Sequence, residues 1–174
     1  MLKTIILNDI QVPYQDPAVL QLVLDFTAQE QPDEVILNGD IADCYTISNF
    51  NKDPLTKASL RREIEEVGAI MDQLKRVPSK VFIGGNHEDR LRRYIWGKAP
   101  ELAELDELSF AQLFRLDRYG FKWLDYGDLY SVGKLLVTHG DLVSKHSAMT
   151  AQKHFEKFGK SVLVGHTHRL GAYY

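Results

Sequence analysis

Five short apolar runs, rich in β-branched residues, recur along this chain, and polar or glycine residues follow each of them at once. The runs are 4–7, 35–37, 81–83, 135–137 and 162–164. Such runs are typical of strands that are buried in a sheet. Open α/β sheets place their ligand sites beyond the carboxyl ends of such strands. We therefore expect the polar residues after the runs to converge along one edge of a sheet.

The residues that follow the runs are carboxylates, amides and imidazoles, and four of the six histidines lie among them. They form five blocks: Asn8-Asp9-Ile10-Gln11, Gly39-Asp40-Ile41-Ala42-Asp43, Gly84-Gly85-Asn86-His87-Glu88, Thr138-His139-Gly140-Asp141 and Gly165-His166-Thr167-His168. Any single block also has an ordinary structural interpretation as a turn, a cap or a loop. Five blocks in order, each at the end of a predicted strand, instead predict a metal site.

The mixture of oxygen and nitrogen ligands suits Mn²⁺, Fe or Zn²⁺ better than Ca²⁺ or copper. His166 and His168 are two residues apart, so in an extended segment their side chains would face opposite ways. Two neighbouring metal ions would satisfy them more easily than one. A pair of such ions about 3.5–4 Å apart could activate a water and hold a transferring phosphoryl group.

Composition limits the kinds of protein that this chain can be. With 174 residues, 44% hydrophobic content and a net charge of −3, it fits one globular domain without a basic field for nucleic acid or membranes. The one cysteine, Cys44, excludes an internal disulfide. The chain starts almost at once with a strand-like run, shows no signal-peptide pattern, and has no apolar run near the roughly 20 residues that span a bilayer. We expect a cytoplasmic protein.

The predicted helices and strands alternate, which favours an α/β domain. Asp16 and Pro17 are typical of a helix start, and further helices are predicted at 56–76, 101–116 and 147–158. Residues 121–125 and 129–138 are predicted as strands separated by a hairpin-like connection at Tyr126-Gly127-Asp128.

The ordered blocks resemble the calcineurin-like metallophosphoesterase superfamily. Its pattern is Asp-x-His, Gly-Asp-x-x-Asp, Gly-Asn-His-Glu/Asp, a later histidine and Gly-His-x-His, and the match runs from Asp9 to His168. The resemblance implies an α/β fold: a four-layer α/β/β/α sandwich of two mixed sheets. We expect a single metallophosphoesterase domain over 1–174.

The resemblance also implies two divalent metal ions and the residues that hold them. Asp9, Gln11, Asp40 and His168 would surround one ion, and Asp40 would bridge to a second ion held by Asn86, His139 and His166. His87 would act as general acid or stabilise the transition state, with Asp43 orienting it. In the family a metal-held hydroxide attacks phosphorus in line.

Three positions depart from the family pattern. Gln11 replaces a histidine, and its neutral oxygen is a weaker ligand for Zn²⁺ or Fe, so we expect lower occupancy beside Asp9 and a preference for Mn²⁺. Cys44, expected to be half-buried, stands where phosphoprotein phosphatases have an Arg-Gly pair, which argues against that activity. After Gly-His-x-His only 169–174 remain, so we expect a minimal or C-terminally truncated domain.

The segment 87–98 combines arginines with Tyr94 and Trp96, which could hold phosphate and stack a base, although a solvated helix face is the more ordinary interpretation. Arg90, nearest to His87, is the predicted phosphate contact. Of the remaining histidines, His154 is expected at the surface and His146 on a loop near the site.

We therefore expect a dinuclear-metal-dependent phosphoesterase that hydrolyses small phosphomonoesters or phosphodiesters, with Mn²⁺ as the favoured metal and Fe or Zn²⁺ as alternatives. A metal-dependent nuclease is a second hypothesis, although a net-acidic chain argues against it. A third is a non-catalytic scaffold that uses the same fold. No membrane partner is expected, and the oligomeric state stays open.

Overall fold

The computed structural model describes residues 2–174 and arranges its strands in two sheets. The first sheet is parallel throughout, in the order β1-β2-β3-β4, with β1 Thr4–Leu7, β2 Glu34–Asn38, β3 Ser79–Ile83 and β4 Lys122–Leu124. The second sheet is mixed, in the order β5-β6-β7, with β5 Tyr130–Val132, β6 Leu135–Thr138 and β7 Val162–Val164. The predicted α/β architecture with two sheets is confirmed.

Five α-helices cover the sheets: α1 Pro17–Glu30, α2 Leu60–Gln73, α3 Asp89–Lys98, α4 Phe110–Leu113 and α5 Ser147–Phe158. The Asp16 side chain caps α1 as predicted, because its Oδ1 accepts hydrogen bonds from the N–H groups of Ala18 and Val19. Ser59 caps α2, so this helix begins later than the predicted 56–76. No helix among residues 2–174 is long and apolar enough to cross a membrane.

Alternate residues of the central strand β2 serve two different cores, because successive side chains point to opposite faces of a sheet. Val35 and Leu37 pack against the buried faces of α1 and α2. Ile36 faces the second sheet and packs in a smaller core with Val81 and Val137. The first core therefore lies between the helices and the first sheet, and the second core lies between the two sheets. Helix α5 packs beside β7.

Polar side chains tie the two sheets together at both ends. Tyr130 Oη donates a 2.7 Å hydrogen bond to Glu34 Oε1 near the start of β2. Asn38, at the carboxyl end of β2, donates to the carbonyl oxygen of Thr138 at 3.0 Å. The second bond fixes the distance between the strand ends from which the loops of the candidate site emerge.

Two predictions about local structure are wrong. Residues 101–116 do not form one helix but 3₁₀ turns, Pro100–Leu102 and Asp106–Leu108, followed by the short α4. Ser109 is the reason for the break, because its hydroxyl caps α4 at Gln112 and its backbone is extended. Leu102, Leu105 and Leu108, which are spaced by three, therefore lie in successive turns and do not form one helical face.

The predicted hairpin is also misplaced. β4 pairs with β3 in the first sheet, so Tyr126-Gly127-Asp128 connects the two sheets. The hairpin joins β5 to β6 through Gly133 and Lys134, inside the segment predicted as one strand. The positive φ of Gly133, 60°, allows this tight turn.

Two single residues are more buried than predicted. Cys44 is fully buried rather than half-buried, and burial raises the pKa of its thiol well above the ordinary value. His154 is only 1% exposed rather than at the surface.

Glu63, in the first turn of α2, is a carboxyl group buried beneath the loop that follows β2. Its Oε2 accepts a 2.6 Å hydrogen bond from the backbone N–H of Cys44, whereas Oε1 has no partner. Burial, reinforced by the nearby charge of Asp43, raises the pKa of Glu63 from 4.5 to about 7.

This raised pKa makes the stability of the protein depend on pH. The contribution of Glu63 is fully present below its unfolded pKa of 4.5 and is lost as the pH rises through the folded value of about 7. We expect the free energy of unfolding to fall across this window by up to about 3 kcal/mol more in the wild type than in Glu63→Gln. Urea denaturation at a series of pH values measures the difference. Glu65→Gln, at an exposed position of the same helix, should keep the wild-type profile, and a wild-type profile for Glu63→Gln would contradict the prediction.

Candidate metal centre

The loops that leave the carboxyl ends of five strands bring the predicted ligand residues together. Both sheets contribute, so that the candidate centre lies where their strand ends meet. The loops carry Asp9 and Gln11 after β1, Asp40 after β2, Asn86 after β3, His139 after β6, and His166 and His168 after β7.

One half of the centre is buried. Asp40, His139 and His166 place one donor atom each within 4.8 Å of one another. His139 Nε2 lies 3.3 Å from Asp40 Oδ2 and 3.1 Å from Asn86 Oδ1, and neither Asp40 nor His139 is more than 1% exposed. These four residues could hold one ion through a carboxylate oxygen, an amide oxygen and two imidazole nitrogens.

A hydrogen bond to the backbone sets the orientation of the His139 ring. Its Nδ1 lies 3.0 Å from the carbonyl oxygen of Asn38, a distance at which Nδ1–H donates to the backbone. That bond fixes the tautomer in which Nε2 carries a free lone pair. Nε2 is the atom that faces Asp40 and Asn86, so the ring is prepared to bind a cation.

The other half of the centre is open to solvent. Asp9, Asp40 and His168 also place donor atoms within 4.8 Å of one another, with Asp40 common to both groups. The side chain of His168 is 50% exposed, and its Nε2 lies 3.5 Å from Asp9 Oδ1 and 3.0 Å from Gln11 Nε2. A cleft of about 440 Å³ between this half and α1 is lined by Asp9, Gln11 and His168.

The backbone of the ligand residues is strained in a way that fits a metal site. Five of them adopt the left-handed region that L-residues rarely enter: Asp9 at φ 54°, Gln11 at 52°, Asp40 at 52°, His166 at 74° and His168 at 52°. Such strain collects at binding and catalytic sites and needs compensation from the surrounding structure. In addition, the buried Nδ1 of His166 has no hydrogen-bond partner. The donor set and this unpartnered nitrogen fit two divalent ions that share Asp40.

The pKa values of the ligand residues reflect burial and their mutual charges. Burial raises the pKa of the Asp9 carboxyl and lowers that of the His166 imidazole. Burial also disfavours the charged forms of Asp40 and His139, but their contact outweighs it. That contact holds the pKa of Asp40 below its usual value and that of His139 above it. Without an ion the two groups therefore form a charge-compensated pair, and an ion that binds Nε2 would take the place of the imidazolium proton.

His87 lies beside this centre, and a neighbouring carboxylate orients it. Its backbone N–H donates to Asp40 Oδ1 at 2.9 Å, and its Nε2 is 3.6 Å from Asp40 Oδ2. Its Nδ1 lies 3.1 Å from Asp43 Oδ2, close enough for an ion pair, although the angle does not make a hydrogen bond. The structure therefore brings His87 and Asp43 together as the sequence predicts.

Arg90 belongs to the same cluster, where Asp43 holds its guanidinium group. Its Nη1 donates to the carbonyl oxygen of Asp43 at 2.6 Å and to Asp43 Oδ1 at 3.0 Å, and its Nη2 is 3.0 Å from His87 Nε2. One carboxylate thus holds both the imidazole and the guanidinium. His146 is exposed at the start of α5 and is not among the converging donors.

Sequence reasoning missed the role of Glu88. Its buried carboxylate accepts four backbone hydrogen bonds: Oε2 from Asp40 and Gly85 at 2.9 and 2.7 Å, and Oε1 from Ile41 and Ala42 at 2.8 and 3.0 Å. It therefore joins the loop of Asp40 to the loop of Asn86. Its position directly after Asn86-His87 was the available signal.

His154 has a similar role behind His139. Its Nδ1 lies 2.9 Å from the carbonyl oxygen of Thr150 in α5, and its Nε2 accepts a weak 3.4 Å hydrogen bond from the backbone N–H of Asp141. Lys157 of the same helix pairs with the Asp141 side chain. Helix α5 thus anchors the loop that follows His139, which explains why His154 is buried.

Comparisons with known proteins agree with this geometry. A family model described as calcineurin-like phosphoesterase matches residues 2–170. The curated relatives include two proteins that are each called Gene 54 protein, from Mycobacterium phage D29 and Mycobacterium phage L5. They are 32% and 30% identical to this chain over 185 aligned positions, which cover 97% of this chain and 70% of each relative.

A substitution in the open half of the centre tests how Gln11 affects metal binding. Replacing its amide by imidazole in Gln11→His should tighten Zn²⁺ or Mn²⁺ binding beside Asp9 by about tenfold or more, because imidazole is the stronger ligand. Isothermal titration calorimetry measures this directly, without turnover. Gln29→His, on the exposed surface of α1, is the matched control and should leave metal affinity unchanged. Equal affinities for Gln11→His and wild type would remove the argument.

Proposed function

Because the chain belongs to the calcineurin-like phosphoesterase family, we propose that it hydrolyses small phosphomonoesters or phosphodiesters with the help of two divalent metal ions. The observation that carries this proposal is the pair of donor groups that share Asp40. A shared carboxylate between two clusters of oxygen and nitrogen donors is the arrangement that two neighbouring ions require.

The bound ions supply a water that is activated for attack and neutralise the charge of the phosphoryl group. The chain's own residues hold that site in place. Asp40 bridges its two halves, His139, His166 and Asn86 complete the buried half, and Asp9, His168 and Gln11 complete the open half. The open half gives a phosphoester access from solvent, because His168 is half exposed.

His87 is positioned to act on the leaving group. It lies next to Asp40 but its Nδ1 and Nε2 are engaged by Asp43 and Arg90 rather than by the donor clusters. In this role Arg90 moves from Nε2 towards the phosphate, the freed Nε2 takes a proton from solvent, and His87 would then give that proton to the leaving oxygen. Asp43 holds the ring throughout, with its Oδ2 3.1 Å from His87 Nδ1.

Mn²⁺ is the metal that we propose for the open half. Asp9 offers a carboxylate oxygen there and His168 is the imidazole of that group. Gln11 would add its amide oxygen once the side-chain amide turns, because its Nε2 faces His168 Nε2 here. Oxygen-rich sets favour Mn²⁺ relative to Zn²⁺ or Fe more than imidazole-rich sets do. The buried half, with two imidazoles, is less selective.

The charges of α3 argue against nucleic acid as the substrate. The arginines of 87–98 are not a free basic patch, since Arg92 and Arg93 both pair with Asp89 and Arg90 pairs with Asp43. A nuclease normally needs unpaired cations that track the phosphate backbone. A scaffold without catalysis would have no use for His87 held beside the donor clusters.

Replacement of His87 tests whether its imidazole acts as a general acid. We expect His87→Ala to lower kcat for bis-p-nitrophenyl phosphate or p-nitrophenyl phosphate by about 10²–10⁴-fold in Mn²⁺, because it removes general acid catalysis. The ratio of the two rates distinguishes diester from monoester preference, and chelator should abolish both. His146→Ala, at an exposed histidine, is the matched control. Turnover that persists in chelator, or in His87→Ala at the wild-type rate, would contradict the proposal.

Arg90 is the proposed phosphate contact, and its removal should act mainly on substrate binding. Arg90→Ala should raise KM by about tenfold or more, since a charge-assisted bond to phosphate is lost. Arg90→Lys should recover part of the loss, whereas a purely positioning role through Asp43 would lower kcat and leave KM in place. Arg61→Ala, on exposed α2 surface, should match the wild type. Unchanged kcat and KM in Arg90→Ala would exclude the role.

A further inference from the structure

A cavity of about 240 Å³ lies behind the loop that carries Asn86 and His87, between α3, the 3₁₀ turns after it and the end of β4. Its aromatic walls are Trp96, Phe110, Trp123 and Tyr126. They include both tryptophans of the chain. Clefts that hold drug-sized molecules measure roughly 300–1,000 Å³, so this cavity suits one flat ring system.

Trp123 forms a rigid inner wall of this aromatic cavity. Its ring lies 5.1 Å from that of Phe110 at an interplanar angle of 25°, and 5.5 Å from that of Phe82. Its indole N–H donates to Asp125 Oδ1 at 2.9 Å. The ring also packs so closely on Gly84 that a Cβ there would lie 2.7 Å from it. A wall fixed in this way loses little conformational freedom when a ligand binds.

The outer wall is apolar and exposed. Trp96 is 58% exposed, with the Arg92 guanidinium 4.9 Å above its ring, and Leu102 and Leu105 are 43% and 44% exposed. Apolar surface at the mouth of a cavity favours a ligand that covers it. An aromatic ring inserted here would stack on the fixed ring of Trp123 and be covered by Trp96, and stacking on aromatic side chains is how proteins bind bases without reading their sequence.

The rim of the cavity carries carboxylates. Asp106 and Asp125 both line it, and both are exposed. Carboxylates accept hydrogen bonds from N–H groups and repel phosphate. The favoured occupant is therefore an uncharged ring that bears N–H donors, whereas a second phosphoryl group would be rejected.

The aromatic cavity adjoins the candidate metal centre through shared residues. Tyr126 lines the cavity, and its ring centre is 6.2 Å from that of His139. Gly85 also lines it and directly precedes Asn86. Tyr126 and the loop of Gly85 therefore separate the cavity from the buried half of the centre, and the organic group of an ester held there would pass Tyr126 to enter the cavity.

We propose that the aromatic cavity binds the nucleobase of a nucleoside phosphate whose phosphoryl group lies at the metal centre. The inference rests on the proposed phosphoesterase function and names its substrate class. The cleft beside α1 is less suited to a base, because Tyr14 is its single aromatic residue among those described.

Tryptophan fluorescence tests the proposal without catalysis, because both tryptophans line the cavity. The protein in chelator is titrated with adenosine, adenosine monophosphate or ribose 5-phosphate, with excitation at the red edge of tryptophan absorption, where adenine does not absorb. We expect saturable quenching by the two base-bearing compounds and none by ribose 5-phosphate. Quenching that is absent, or equal for ribose 5-phosphate, would overturn the proposal.

A cavity-filling variant supplies the matched comparison. Ala103→Phe places a ring in the cavity from an exposed position outside the helices, and should weaken adenosine binding roughly tenfold or more, the size expected from losing a base–aromatic stack. Ala28→Phe, on the exposed face of α1, should bind as the wild type does. Equal quenching in both variants would also overturn the proposal. If the wild type showed no metal-dependent ester hydrolysis, the proposed function would be overturned instead, so the two failures are distinguishable.

Discussion

The carboxylate of Glu88 accepts four backbone hydrogen bonds inside the protein, and the candidate centre depends on this interaction. A buried N–H group left without a partner costs about 1–3 kcal/mol, so four such groups aimed at one carboxylate hold it firmly. They come from the two loops that carry Asp40 and Asn86. Asp40 and Asn86, proposed as the bridging carboxylate and the amide ligand, are therefore fixed relative to each other before any ion binds.

The same principle recurs on the second sheet with different groups. His154 and Lys157 of α5 hold the loop after His139, and the Asn38 carbonyl holds the His139 ring itself. Asn38 also bonds to Thr138 across the gap between the sheets. Side chains that never face a substrate thus set the positions of the ligands, which is the role that outer-sphere partners have around metal ions in general.

Much of this arrangement follows from local sequence, and the rest does not. The strands and their ligand blocks were predictable because a β-branched run followed by glycine and carboxylate or imidazole is informative over a few residues. The segment 101–116 was not, since Leu102, Leu105 and Leu108 fit either a helix face or successive 3₁₀ turns. The hairpin was predicted at Gly127 instead of Gly133, because the sequence around Gly127 is the stronger turn signal. Three of the bonds of Glu88 come from residues 40–42, far along the chain, and the burial of His154 depends on the loop of Asp141, outside its own helix. No pattern within one element contains such partners.

The left-handed backbone at five ligand positions has a consequence for how this protein can change. Each of these residues holds a conformation that glycine would adopt without strain, so the folded chain carries backbone strain at the positions that we propose bind cations. Selection for thermal stability alone would therefore favour glycine at Gln11 or His168, whose side chains accept no hydrogen bond from the backbone of the described residues, and would remove donors from the open half of the centre. Side chains are therefore kept at these strained positions only by selection for what they bind.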